Sequence, residues 1–268
     1  MGRSVPDVVL AIGLAACHVC AVPLAALDGL FEQMVHPRVM QWLASCPGGA
    51  WRQLRRIRFV RLARLLFKAF VLAGGHRLVT RRILVDDASA PLPPGGCVFA
   101  ICHTAWGHAL VPWAAARHFA VVLAGSRWAH EAGDLYAPRS SAGLHRILRL
   151  LRAGGRAAVA VDSFAGRGAC EARLFGVPVL VSLVAVRLAA AAGVPLVPAW
   201  IAYDRGRLRI YFGQSVDVAP GSVEPTLRQM LNCFEGWIRE DPAEWNDLMP
   251  FLRGTVRGAE LAARPAVP

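Results

Sequence analysis

The sequence predicts an α/β protein, a sheet buried between helices and preceded by an apolar N-terminal helix that binds a membrane. Three observations predict it. Hydrophobic residues make up 55% of the 268-residue chain, which is high for a soluble protein, and the excess sits at the N-terminus. From Val98 onward short apolar runs alternate with helical stretches, the pattern of strands covered on both faces. Between these parts, Asp86–Gly96 is polar and rich in Pro and Gly, and reads as a linker.

Val8–Leu27 carries no formal charge and has His18 as its one polar interruption. It is just long enough to cross the hydrocarbon layer. Pro23 and the many alanines weaken a spanning helix, and small residues after the run keep a cleaved signal peptide as a rival. The expectation is an anchor or an interfacial helix. Trp51–Leu72 then reads as a helix free of Gly and Pro. Its basic residues are Arg52, Arg55, Arg56, Arg58, Arg61, Arg64 and Lys68. At 100° per residue these do not share a stripe. Two readings stay open: a basic helix resting near phosphates, or a solvated helix with snorkelling arginines.

Past the linker, strands are expected at Val98–Cys102, Ala120–Ala124, Ala157–Val161, Leu196–Tyr203 and Leu208–Phe212. Helices are expected at Trp106–Arg117, Ser141–Arg152, Val181–Ala192 and Glu224–Arg239, with a turn over Asp204–Arg207. The expected divisions are 1–50 for membrane docking, 51–96 for basic helix and linker, 97–255 for the core, and 256–268 for a tail. In open α/β sheets, sites gather at the carboxyl ends of strands. His103 and Asp162 both fall there.

The net charge is +12, and Lys68 is the one lysine among 30 basic residues. Arginine forks onto phosphate and carboxylate in a way lysine cannot. No nucleic-acid motif accompanies the charge, so the expected anionic partner is a lipid head group or an acidic carrier, not nucleic acid. Seven scattered cysteines argue against a disulfide framework, and the Cys17–Cys20 pair lies inside the apolar run. No metal is expected. His103, His108 and His118 have neither helical i, i+4 spacing nor a supporting carboxylate. Nor is there a G-x-S-x-G elbow, and Ser126 and Ser163 lack an evident base.

Acyl transfer to an alcohol needs a base for the hydroxyl, an oriented imidazole and a berth for the oxyanion. His103, between a strand and a helix, can be that base. Its setting, AICHTAWGHAL (Ala100–Leu110), resembles the H-x4-D/E motif of the lipid A (lauroyl/myristoyl) and glycerolipid acyltransferases. Further segments stand in the family's order. Leu151–Asp162 is similar to its helix–Gly–strand–Asp stretch. Phe175, Gly176 and Pro178 match F-G-x-P, Leu188–Pro198 matches L-A-x-x-x-G-x-P-x-x-P, and Phe234–Trp245 matches E-x-x-I-R-x-x-P-x-x-W. The resemblance implies a mixed sheet covered by helices. It implies acyl transfer from an acyl carrier protein or coenzyme A thioester to a hydroxyl or amine of a lipid A-like or other membrane lipid. No cofactor is implied beyond that co-substrate, and the place is the cytoplasmic face of an inner membrane. It gives His103 and His108 catalytic positions, and Arg127, Asp162, Phe175, Gly176 and Pro178 substrate contacts.

The departure is His108, which stands where the family has its acid. A neutral imidazole brings no negative charge to offset an imidazolium. Three explanations are open. A carboxylate from elsewhere, Glu131, Asp134 or Asp162, orients His103. Or the His103–His108 pair serves a less demanding reaction. Or the chain binds lipid or carrier without chemistry.

Overall fold

The computed structural model describes residues 5–70, 83–85, 89–107, 113–114, 117, 120–122, 136–137, 141–162, 169–204, 207–219 and 221–252. The apolar run extends into a longer helix than expected, α1 (Val5–Val35), which passes through Pro23. Helix α2 (Pro37–Ser45) starts on a proline, whose fixed φ suits a first turn. Gly48 and Gly49, both at positive φ, turn the chain into α3 (Gly49–Phe70). Helices α1 and α3 lie antiparallel. A Cβ at Gly13 would meet Leu66, and one at Gly29 would meet Leu54, while Asp28 pairs with Arg58. Leu54, Ile57, Phe59, Val60, Ala63 and Phe67 of α3 are buried, each large side chain contributing roughly 1.5–3 kcal/mol. Phe59 and Phe67 meet Tyr203 and Trp106. The N-terminal helices therefore share one core with the sheet.

The main sheet has seven strands: β1 (Ile83–Val85), β2 (Cys97–Ile101), β3 (Ala120–Val122), β4 (Tyr136–Ala137), β5 (Arg156–Ala160), β8 (Leu196–Asp204) and β9 (Arg207–Phe212). Their order is β1-β9-β8-β2-β5-β3-β4. Every pairing is parallel except β8 with β9, so the sheet is mixed. Helices α4 (Ser141–Arg152), α5 (Val184–Ala192), α6 (Val223–Glu240) and the short α7 (Leu248–Leu252) complete the unit. Strand β2, fully flanked by β5 and β8, is buried from Cys97 to Ala100, which explains its unbroken apolar sequence.

One expectation is corrected. The start of the expected helix Val181–Ala192 is strand: β6 (Ala169–Leu174) and β7 (Val177–Ser182) form a separate antiparallel hairpin, and α5 begins at Val184. An apolar, β-branched run such as Val177–Val181 suits either state locally. Pairing with β6 and the bond from Ser182 N–H to Val161 O (2.9 Å) decide for strand. The expected linker is irregular over its described residues 89–96 and tied to the sheet at Ser89 and Ala90. Ser89 Oγ donates to Ile210 O (3.3 Å) and accepts from Phe212 N–H (3.1 Å), and Ala90 N–H donates to Phe212 O (2.9 Å). Ser89 and Ala90 are thus fastened along β9, and β1, within 51–96, is an edge strand of the sheet.

Candidate active site

Strands β2 and β5 are parallel neighbours with Ile101 opposite Ala160. Continuing that register by two residues on each strand sets position 103 beside position 162, one strand spacing apart. The side chains then meet. His103 Nδ1 lies 2.6 Å from Asp162 Oδ1, and the His103 backbone N–H donates to Asp162 Oδ2 at 2.7 Å. Trp245 Nε1–H donates to the same Oδ2 at 3.3 Å. One carboxylate thus grips the histidine through both main chain and ring. Asp162 is 6% exposed and His103 51%, so the imidazole faces solvent and its partner does not. An ionised carboxylate only accepts. This assigns the proton to Nδ1 and leaves the Nε2 lone pair free. The bond to Asp162 raises the imidazole pKa above its ordinary value, partial burial opposing it.

The loop carrying His103 is clasped by the segment after α6, which includes a 3-10 turn, Pro242–Glu244. Thr104 forms an antiparallel bridge with Trp245. Ala105 N–H donates to Glu244 O (2.8 Å), and Asn246 N–H donates to His103 O (3.0 Å). Asn246 Nδ2 donates to Thr104 O (2.9 Å) and accepts, through Oδ1, from Arg64 of α3 (2.8 Å). Beneath the clasp the Glu244 carboxyl is fully buried. It accepts from Arg56 (2.8 Å), Tyr203 N–H (3.2 Å) and Trp106 Nε1–H. Burial, with the Asp241 carboxylate second, pushes its pKa up to about 8. Burial and the charge of Asp162 also raise Asp247, so a second carboxyl lies within electrostatic reach of the pair.

The sequence points to His103 and Asp162, and they are in contact. His108, Arg127, Glu131, Asp134 and His118 lie outside the described residues. Phe175 and Gly176 form the two-residue β6–β7 turn at φ 51° and 78°, with Pro178 on β7 opposite Arg173. Positive φ at both turn positions suits the twist of a hairpin, and it is costly for a bulky residue such as Phe. Contacts hold Phe175 there: its N–H donates to Glu235 Oε1 (2.5 Å), Arg239 stacks on its ring, and Trp42 and Phe251 flank it. In the sequence Trp245 and Asn246 stand only at the end of the C-terminal pattern. Spacing within one segment cannot show that they reach back about 140 residues.

Beside the clasp is a cavity of about 40 Å³, lined by Ile57, Val60, Arg61, Arg64, Ala105 and Met249 among others. It has room for a small polar group, not for an acyl chain. Among the described residues no three His, Cys, Asp or Glu side chains are grouped to hold a metal.

The sequence pattern of the bacterial lipid A biosynthesis acyltransferase family matches residues 130–253. That span holds Asp162 and the whole clasp and begins after His103. No curated protein sequence matches the chain. The crystal structure of the 1-acyl-sn-glycerophosphate (LPA) acyltransferase PlsC from Thermotoga maritima is similar at 14% identity and a TM-score of 0.41, covering 93% of this chain and 100% of that one.

Proposed function

Because the pattern of the bacterial lipid A biosynthesis acyltransferase family matches residues 130–253, we propose that the chain is an acyltransferase of that kind, moving a fatty acyl chain from a thioester to a lipid hydroxyl or amine with His103 as general base. The observation that carries this reading is the half-exposed imidazole held at 2.6 Å by a buried carboxylate. His103 Nε2 takes the acceptor proton, and Asp162 offsets the charge that forms on the ring. The acceptor heteroatom bonds to the thioester carbonyl carbon, the C–S bond breaks, and the leaving thiolate recovers the proton from the imidazolium. Asp162 does the work that the family assigns to the position of His108. The donor is an acyl carrier protein or coenzyme A thioester, and the acceptor a lipid A-like or other membrane lipid.

The place of reaction is a membrane surface, the cytoplasmic face of an inner membrane. Among the described residues one helical stretch, Ile12–Val35, is long and apolar enough to cross a bilayer, and its Ile12, Val19, Leu27, Leu30, Phe31 and Met34 are exposed. Crossing would carry α3 along with it. Arg52, Arg55, Arg58, Arg61 and Arg64 would then enter hydrocarbon at about 2.5–3.5 kcal/mol each. We therefore read α1 as lying in the interface, with its exposed face in lipid.

The test is to incubate the purified full chain with acyl thioester and a bacterial lipid extract, and to follow new acylated lipid by mass spectrometry. His103→Ala should lower the rate about 10²–10⁴-fold. A lipid acylation rate that ignores this change overturns the assignment of the base.

A further inference from the structure

A second cavity shares no lining residue with the one beside the clasp. It encloses about 300 Å³ between α1, the turn before α3, the first turns of α3 and the end of α6, room for roughly ten waters at about 30 Å³ each. Arg52, Arg55 and Arg56 line it, with His18, Phe59 and Glu240. The three arginines are not equivalent. Arg56 is committed to Asp241 and Glu244 at 2.9 and 2.8 Å. Arg52 and Arg55 make no ion pair or hydrogen bond among the described residues. Gly48 makes room for the first of them, since a Cβ there would collide with Arg52 Cδ and come within 3.1 Å of its Nη1. The floor is flat: the His18 ring stacks on Phe59 at 3.7 Å. Asp241 being neutralised by Arg56, the carboxylate left to oppose the two free guanidinium groups is Glu240.

Two unpaired guanidinium groups over a stacked-ring floor suit a phosphate better than a carboxylate-sized ion alone, because the cavity also takes the glycerol attached to it. The setting says where that phosphate comes from. His18 is on α1 next to exposed Val19, and Trp51, half exposed, precedes Arg52. A head group can enter here while its acyl tails remain on the apolar face of α1. We propose that Arg52 and Arg55 form a phosphate site for an anionic lipid head group, separate from the acyl-transfer site. It rests on the reading of α1 as a membrane-docking helix.

The experiment is flotation of the full chain with phosphatidylcholine vesicles, with and without phosphatidylglycerol. The unaltered chain should bind both and prefer the anionic ones. Arg52→Gln/Arg55→Gln should lower affinity for anionic vesicles about thirtyfold and leave binding to phosphatidylcholine unchanged, which also shows that the fold is intact. Arg38→Gln/Lys68→Gln removes the same charge from α2 and α3 outside the cavity, and should cost only a few-fold. Equal losses in the two double variants would mean diffuse attraction and overturn the site. An unaffected Arg52/Arg55 variant would overturn it too while leaving the docking of α1 standing. Failure of the unaltered chain to bind either vesicle would remove both readings together.

Discussion

Asp162 and Glu244 are two buried carboxyl groups, one on each side of the loop that carries His103, and their partners set them apart. Asp162 answers a half-exposed imidazole, whose charge changes near neutral pH. Glu244 answers Arg56, which never loses its charge, together with an indole N–H and a backbone N–H. The first arrangement can accommodate a proton arriving and leaving. The second keeps its own proton exchange inside the protein, out of reach of a substrate. A buried carboxyl in contact with a titrating, solvent-facing group is therefore the one to read as chemistry, and one locked against permanent donors is scaffold.

The largest effect expected from this contrast is on Asp162. Asp162→Asn keeps the shape but not the charge, and an equivalent exchange in the serine-protease triad costs about 10⁴ in rate. The pH profile adds a sign. As a base His103 must be neutral, so the rate rises with pH through its raised pKa, and that limb lies above the ordinary imidazole value. Because the bond to Asp162 is the main cause of the raised value, Asp162→Asn should move the limb to lower pH as well as depress the plateau. A lower plateau with an unmoved limb would assign Asp162 to packing alone.

Arg56 is the complementary break. Arg56→Ala leaves Glu244 buried against Asp241 with its cation gone, and a broken buried pair costs about 3–5 kcal/mol. The lower end is expected, because Glu244 already holds its proton at neutral pH and Asp241 keeps access to solvent. Thermal or urea unfolding measures it, and the residual activity per folded molecule should stay near normal. Glu244→Gln acts on the same group through pH. With its pKa pushed from 4.5 to about 8 in the folded chain, Glu244 holds its proton over a range where the unfolded chain has lost it. Stability from this group thus falls as pH rises from 4.5 toward 8. Gln cannot ionise, so the variant should show a flatter stability profile across that window while still accepting from Trp106.

Much of the sheet and half of the site are legible in the sequence. The unbroken apolar runs at Val98 and Ala157 reveal parallel, doubly covered strands because burial on both faces leaves a simple signature. The residues just past such strands, His103 and Asp162, are placed at one sheet edge by that alone. Both strands of the β6–β7 hairpin escape the sequence: Ala169–Leu174 mixes polar and apolar residues, and Val177–Val181 has no period that separates strand from helix. The clasp escapes it because its bonds, Trp245 to Asp162 and Asn246 to His103, join segments far apart in the chain and leave no local pattern.

The smallest effect is expected at the position where the family motif is broken. If Asp162 holds the imidazole, His108 is relieved of that duty, and a neutral residue there is tolerated because the negative charge already comes from β5. His108→Ala should then retain the rate to within about tenfold, far milder than the roughly 10⁴ loss for Asp162→Asn, and should leave the acid limb of the pH profile in place. Restoring an acid with His108→Glu should bring little gain, since the Nδ1 proton of His103 is already committed at 2.6 Å to Asp162. A large gain from His108→Glu, matched by a small loss from Asp162→Asn, would reverse the assignment and put the orienting charge back at position 108.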